Sequence, residues 1–258
     1  MFIDTHSHID FEDFQDNFDE LLQKCKDAGV EKIVIPGVEP DGYGKIISLI
    51  EKYDNLYGAI GIHPSEAKKM NDETFELIRK LAVHEKVVAI GEVGLDYYWD
   101  KSFCDLQKEV FKKQIELAIE LKKPLLIHDR EAHKDTYDLL VSYDLSDVPV
   151  IMHCFSGSPE FALECVKKGF YIAFGGVVTF KNAIKPKETA KVVPLEKIVL
   201  ETDAPYLTPH PFRGKLNAPY YIPLVAEEIA SLKGITQEEV ARVTTSNANQ
   251  LFLSLIHI

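Results

Sequence analysis

The seven residues VVAIGEV at positions 87–93 are almost entirely apolar, and the carboxylate of Glu92 lies near their end. Near-continuous apolar runs of this kind are typical of strands that are buried on both faces in a parallel sheet. The sequence contains seven further runs of similar character, which are FIDTH (2–6), KIVIPGV (32–38), LYGAIGI (56–62), PLLIHD (124–129), PVIMHCF (149–155), FYIAFGG (170–176) and KIVLETD (197–203). We therefore predict eight buried strands.

Longer amphipathic stretches separate these runs and predict helices. Ser158, directly before a proline, is a favourable N-cap and predicts that a helix begins there. The helix between strands four and five has an apolar face that only Gln114 interrupts. Two further helices are expected at about 219–233 and 236–252, and Thr236 is the predicted cap of the second.

The alternation of eight strands with helices predicts an α/β fold, a (β/α)8 TIM barrel. Because no composition shift or linker divides the chain, residues 1–258 are expected to form a single domain, and the apolar tail at 251–258 is interpreted as the end of a packed helix. The alternative is an open doubly wound sheet. Such a sheet often has a glycine-rich turn after its first strand, whereas this chain has HSHID at 6–10.

Composition limits the classes of function. The formal net charge of −12 argues against a protein that coats nucleic acid by bulk electrostatics, but an enzyme can still hold a few phosphates at bound metal ions. The four cysteines show no C-x-x-C spacing, as expected for a reduced, cytoplasmic protein. No apolar stretch approaches the length that crosses a bilayer. The first residues contain no basic stretch, so we expect no cleavable signal peptide. We expect no membrane association and no obligate protein partner.

Polar side chains close several of the predicted strands. In a TIM barrel these strand ends converge on the catalytic face. Five of the nine histidines lie at such ends, together with two carboxylates. A single histidine there is simply explained as a strand cap, but five with two carboxylates are not. The predicted metal ligands are His6, His8, Glu92, His128, His153 and Asp203.

Six such ligands are enough for two divalent cations, because three protein ligands plus water make one catalytic site. Paired hydrolytic cations need a bridging group, and Glu92 is the candidate because a carboxylate has two oxygens. Imidazole-rich ligation favours Zn or Mn, although Mg can operate when carboxylates and a substrate phosphate add oxygens.

Residues next to the ligands receive weaker assignments. Because positions i and i+2 of a strand share a face, Asp4, His6 and His8 are predicted to point to the same side. Asp4 and Glu201 either hydrogen-bond the second nitrogen of a ligand histidine or fill the barrel interior. Cys154, beside His153, is expected to point the opposite way, out of the site.

Seven stretches together resemble the TatD family of metal-dependent deoxyribonucleases, within the amidohydrolase-like superfamily of barrels. The resemblance implies a phosphodiesterase that acts on DNA, often trimming single strands from the 3′ end. Many relatives in the superfamily bridge their metals with a carbamylated lysine on strand four, where this chain has Glu92. The stretches are DTHSH (4–8), GIHP (61–64), AIGEVGLDYY (89–98), IHDR (127–130), MHCFSG (152–157), ETDAPYL (201–207) and PFRGK (211–215).

Phosphodiester hydrolysis suggests further roles. Asp203 is expected to orient the attacking water and accept its proton, or else to be a ligand only. The resemblance assigns His63 to the scissile phosphate or the leaving oxygen, although it could simply brace its loop. Arg130 can contact a phosphate or form an ordinary ion pair, and Arg213 can contact a flanking phosphate. The aromatic residues at 97–99 either stack on bases or pack their loop.

Three functions are compatible with these residues. The leading one is a deoxyribonuclease with two divalent cations, whose substrate is single-stranded DNA or DNA 3′ ends. The second is a hydrolase of D-aminoacyl-tRNA or of small phosphoesters or amides with the same metal centre, since members of the TatD family are also linked to D-aminoacyl-tRNA. The third is a catalytically silent barrel, which would be expected to have lost ligands that this chain retains.

Overall fold

The computed structural model describes residues 1–252, whose strands form one parallel eight-stranded sheet in chain order from first to last. The predicted (β/α)8 barrel is confirmed. The strands are β1 (Phe2–Asp4), β2 (Val30–Pro36), β3 (Leu56–Ile60), β4 (Val87–Asp96), β5 (Leu125–Arg130), β6 (Val150–Met152), β7 (Tyr171–Phe174) and β8 (Ile198–Leu200). The α-helices are α1 (Phe18–Asp27), α2 (Pro40–Lys52), α3 (Asp72–Ala82), α4 (Cys104–Leu121), α5 (His133–Val141), α6 (Pro159–Lys167), α7 (Ile184–Val192), α8 (Ile222–Lys233) and α9 (Gln237–Phe252).

The seam between β1 and β8 is joined by loop and side-chain hydrogen bonds just beyond the strands. The backbone N–H and the hydroxyl of Thr5 both donate to the carbonyl of Leu200, each at 3.0 Å. The Asp4 carboxylate accepts from the Thr202 N–H at 3.0 Å and from the Thr202 hydroxyl at 2.5 Å. The first and last strands are thus held together directly beneath the predicted ligands His6 and Asp203.

Alternate side chains of each strand point into the barrel, and below the metal centre these inward-facing side chains are apolar. Helix α9 packs against this interior cluster and closes the end at the strand N-termini. Its Asn247 amide donates to the Ile198 carbonyl at 2.8 Å, and its Thr245 hydroxyl donates to the Met1 carbonyl at 3.0 Å. The interior cluster consists of Ile3, Val34, Ala59, Val88, Ala89, Leu126, Ile151, Ala173 and Val199, with Ala248, Leu251 and Phe252 from α9.

The local helix signals agree with the structure. The Ser158 hydroxyl accepts from the Phe161 N–H at 3.3 Å, and the Thr236 hydroxyl accepts from the Glu239 N–H at 3.2 Å. The interruption at Gln114 has a structural reason. Its buried amide accepts from the N–H of Ile62 at 2.7 Å and donates to the carbonyl of the same residue at 3.2 Å, which fixes α4 to the end of β3.

Several strands are shorter than the apolar runs that predicted them. β1 ends at Asp4, β6 at Met152 and β8 at Leu200. Consequently some candidate site residues lie in the loops that follow these strands.

None of the helices within residues 1–252 combines the length and the apolar character that a membrane crossing requires. Of the predicted helix end at 251–258, the described part ends at Phe252, together with α9. Residues 253–258 lie outside the described residues.

Candidate metal centre

The candidate ligands lie together at the end of the barrel where the strand C-termini converge. All of them except the fully buried His6 line a cavity of about 670 Å³, within the size range of small-molecule sites. His6 and His8 follow β1 in irregular backbone, so the prediction that they share a strand face with Asp4 was wrong in its geometry. The remaining ligands are Glu92 within β4, His128 within β5, His153 after β6 and Asp203 after β8.

Glu92 is at the centre of the ligand cluster, and its two oxygens face different histidines. Its Oε2 lies 3.2 Å from His6 Nε2 and 3.6 Å from His8 Nε2. Its Oε1 lies 2.8 Å from His128 Nδ1 and 3.7 Å from His153 Nε2. The two oxygens therefore face separate sets of imidazoles, since Oε1 also lies 3.8 Å from His63 Nε2. This is expected of a carboxylate placed to bridge two cations.

Asp203 approaches the same cluster from the seam. Its Oδ1 lies 3.7 Å from His8 Nε2 and 3.9 Å from the Nε2 atoms of His6 and His153. The Asp203 side chain is 17 % exposed, compared with 4 % for Glu92. Burial raises the pKa of Asp203 to about 7, although the neighbouring His153 opposes this rise. Both carboxylates line the cavity, and Asp203 is the more exposed of the two.

The buried histidine nitrogens test whether these residues suit metal ions. Among the described residues, both ring nitrogens of His6 and Nδ1 of His8 are buried with no partner in hydrogen-bond geometry, although His6 Nε2 lies 3.2 Å from Glu92 Oε2. Such an arrangement costs free energy unless a ligand pairs with these nitrogens. Burial lowers the pKa of His8 to about 4 and that of His6 well below its usual value, so both rings are neutral and able to bind a cation. Donor atoms of His6, His8 and Asp203 lie within 4.8 Å of one another. The donor set fits divalent cations.

Asp96 is a part of the centre to which the sequence patterns assigned no role. His128 Nε2 lies 2.9 Å from Asp96 Oδ2, while Nδ1 faces Glu92. Burial alone lowers the pKa of His128, but the two carboxylates outweigh it and raise this pKa to about 9. The two carboxylates hold opposite nitrogens of one ring, so Asp96 fixes the direction in which the His128 imidazole faces Glu92. The sequence did contain a signal, since residues 92 and 96 lie on the same face of one strand.

Gly94 allows β4 to approach β5 at this point. A Cβ added at this position would overlap the His128 carbonyl oxygen, and φ is +143°. Only glycine combines this backbone conformation with so close an approach.

Glu201 and Asp4 differ in what they bind. Glu201 Oε2 lies 2.9 Å from His153 Nδ1, and its Oε1 accepts the Cys154 N–H at 2.7 Å. Burial lowers the pKa of His153, but the carboxylates, Glu201 foremost, raise it to about 10. Asp4 instead accepts the backbone N–H of His6 at 3.2 Å. Glu201 therefore orients an imidazole, whereas Asp4 braces the backbone at the seam.

Replacing Glu201 with Gln should weaken divalent-metal binding by about 10- to 100-fold, the usual effect of losing a carboxylate that orients a ligand histidine. The His153 ring and the Cys154 N–H face different oxygens of Glu201, so in a glutamine one of them would face an amide NH2, which can only donate. Competition with a chromophoric chelator measures the affinity. The exposed Glu196→Gln is the matched control, and equal affinity in both variants would contradict the orienting role.

The expectation that Cys154 points away from the site was wrong. Cys154 lines the cavity, and its φ of +43° is left-handed rather than extended. Because β6 ends at Met152, the alternation of side chains does not continue to Cys154.

His63 lies at the mouth of the cavity and braces its own loop. Its Nδ1 accepts the Ser65 N–H at 3.1 Å, which caps the short 3₁₀ helix Pro64–Lys69. Since a backbone N–H can only donate, the neutral ring carries its proton on Nε2, which lies 3.8 Å from Glu92 Oε1. Burial lowers the pKa of His63 to about 3, so the ring is a neutral donor that faces the centre.

The two arginines lie in different places. Arg130 lines the cavity, and its guanidinium carbon lies 3.8 Å from the Tyr98 ring centre. Within residues 1–252 it forms no ion pair, so the structure does not support the ordinary ion pair considered as an alternative for Arg130. Arg213 is exposed outside the cavity lining, with its guanidinium carbon 3.7 Å from the Phe180 ring centre.

The three aromatic residues after Asp96 divide into two groups. Tyr97 is a packing residue, because its half-buried hydroxyl donates to Asp135 Oδ2 at 2.8 Å. Tyr98 and Trp99 are exposed, and Trp99 lines the cavity.

Known proteins resemble this chain over nearly its whole length. The family described as TatD related DNase matches residues 3–253. The chain is 50% identical over 252 residues to "Uncharacterized metal-dependent hydrolase YabD" of Bacillus subtilis (strain 168), which covers 98% of this chain and 99% of that protein. It is 38% identical over 253 residues to "Uncharacterized metal-dependent hydrolase YcfH" of Escherichia coli (strain K12), covering 97% and 95%.

Solved structures show the same architecture. The TatD homolog YjjV of Escherichia coli K12 matches with a TM-score of 0.92 at 33% identity, covering 97% of each chain. A hydrolase TatD family protein from Entamoeba histolytica matches with a TM-score of 0.86 at 23% identity and 98% coverage of each chain, a similarity that concerns the fold alone.

Proposed function

This chain belongs to the TatD-related DNase family of metal-dependent hydrolases, and we propose that it hydrolyses phosphodiester bonds at the 3′ end of single-stranded DNA with two divalent cations. The observation that carries the proposal is the position of Glu92, whose Oε2 faces His6 and His8 while its Oε1 faces a different set of imidazoles that includes His128 and His153. One cation would be held by His6 and His8, the other by His128 and His153, with Glu92 between them and Asp203 beside them. The cations can be Zn, Mn or Mg.

Bound divalent cations would neutralise the phosphate charge and make a water molecule nucleophilic near neutral pH. Asp203 orients this water and accepts its proton, because its carboxylate is open to the cavity. The Nε2–H of His63 donates to a phosphate oxygen or to the leaving oxygen. Arg130 binds a phosphate of the DNA at the cavity wall, and Arg213 contacts a flanking phosphate of the DNA outside the cavity.

The cavity supports a substrate that enters as a chain end. A volume of about 670 Å³ is that of a small-ligand pocket and not of a long groove. The overall charge of −12 also leaves the cations, and not the protein surface, as the main attraction for phosphate. The four cysteines are free thiols, which supports a reducing, cytoplasmic location.

The substrate test compares four classes with the metal-loaded protein, namely 5′-labelled single-stranded DNA, duplex DNA, D-aminoacyl-tRNA and small phosphoesters or amides. We expect single-stranded DNA to shorten from its 3′ end, with activity removed by EDTA and restored by Zn, Mn or Mg. Turnover of D-aminoacyl-tRNA or small substrates alone would overturn the nuclease proposal. Absence of any metal-dependent turnover would favour a silent barrel.

A further inference from the structure

The only tryptophan of the chain, Trp99, is unusually open. Its side chain is 72 % exposed, and it lies in the wall of the cavity that contains the metal centre. A tryptophan normally buries a large apolar surface, so an exposed ring beside a catalytic centre offers that surface to a ligand.

The position of Trp99 is fixed relative to the metal centre. Asp96 Oδ1 accepts the N–H of Tyr98 at 2.9 Å and that of Trp99 at 3.4 Å. The other oxygen of the same carboxylate lies 2.9 Å from His128 Nε2. Gln107 in turn accepts the Asp96 N–H at 2.8 Å and donates to the Asp96 carbonyl at 2.9 Å. One buried carboxylate thus ties the aromatic turn to a candidate metal ligand.

The positively charged guanidinium of Arg130 lies beside the Trp99 ring. The Arg130 guanidinium carbon lies 3.8 Å from the Tyr98 ring centre and 5.3 Å from that of Trp99, and the two rings meet edge to face at 4.8 Å. Arg130 is two residues beyond His128 on the same face of β5, and stacking leaves the edge of its planar guanidinium free to donate. A π-face next to a guanidinium matches the base and the phosphate of a nucleotide.

We infer that Trp99 and Arg130 form a nucleotide subsite, in which Trp99 stacks on the base of the nucleotide whose phosphate lies at the metal centre, and Arg130 contacts the neighbouring phosphate. This inference rests on the proposed nuclease function and adds its selectivity. A stacking face accepts any base but needs it unstacked from its neighbours, so the subsite favours unpaired ends with little sequence preference.

The kinetic test uses Trp99→Ala, Trp99→Phe and, as an off-site control, Val83→Ala, which trims an exposed apolar side chain beyond α3. On single-stranded DNA we expect Trp99→Ala to lose roughly 5- to 150-fold in kcat/KM, mainly through KM, the range typical of a lost base stack. Trp99→Phe should retain most of the activity. On an oligonucleotide whose two terminal nucleotides are abasic, wild type and Trp99→Ala should be equal.

A binding test uses the fluorescence of Trp99, which no other tryptophan obscures. Deoxyadenosine 5′-monophosphate should change the emission of the metal-loaded protein, whereas 2-deoxyribose 5-phosphate, which lacks the base, should not. Equal responses to both compounds, or none at nucleotide concentrations that inhibit hydrolysis, would overturn the inference.

The two proposals fail separately. If wild type leaves DNA intact but turns over another substrate in a metal-dependent way, the nuclease function is wrong. If DNA is hydrolysed and Trp99→Ala matches wild type on normal strands, only the subsite is wrong.

Discussion

Protein carrying Glu92→Gln should bind no more than one divalent cation and hydrolyse DNA at least about 1,000-fold more slowly than wild type. The substitution keeps the size of the side chain but leaves a single oxygen where two now face different imidazoles, at 3.2 Å from His6 Nε2 and 2.8 Å from His128 Nδ1. It would also remove the negative charge from the position that the proposal places between two cations.

Metal analysis after dialysis and initial rates on single-stranded DNA measure the Glu92→Gln effect, and circular dichroism checks that the barrel is intact. Glu238→Gln, an exposed position in the first turn of α9, is the matched control and should behave as wild type. Two bound cations in folded Glu92→Gln, or activity close to that of wild type, would remove the bridging role on which the proposed function depends.

Asp203→Asn should lower kcat by about 100- to 10,000-fold, the range for loss of a positioned general base. The amide can still ligate through its oxygen, but it cannot accept a proton from water. The acidic limb of the kcat–pH profile should disappear, because it reports the carboxylate.

Metal content distinguishes the two roles considered for Asp203. Retained cations with a lost rate identify a proton acceptor. Retained cations with nearly normal turnover would refute that role, and parallel loss of metal and activity would make Asp203 a ligand only.

The sequence predicted the barrel and the cluster for the same physical reason. Strands that are buried on both faces appear in the sequence as apolar runs. The C-terminal ends of these strands converge in a barrel, so polar residues at the ends of different runs lie close together. Glu92 and His128, 36 residues apart, lie within hydrogen-bonding distance in this way. The adjacency of β4 and β5 in the barrel brings them together.

Details that depend on backbone conformation beyond the strands could not be predicted from periodicity. Cys154 faces the cavity because φ is +43° there, a conformation that alternation cannot represent. His6 and His8 reach the centre from irregular backbone rather than from a strand face. The choice of Glu201 and not Asp4 as the partner of an imidazole depends on how neighbouring strands are staggered, which sequence spacing within one strand does not reveal.

The seam has a consequence for how the chain can be altered. Thr5 and Leu200 are 195 residues apart in sequence, yet they form hydrogen bonds to each other. Directly above this contact, His6 from the start of the chain and Asp203 from its last quarter lie in the same candidate metal centre. A cation bound by residues from both sides would link β1 to β8, so metal binding would stabilise the closed barrel. Circular permutants whose new termini lie in the loops that follow β1 or β8 should therefore be less stable than permutants opened in a remote helical connection.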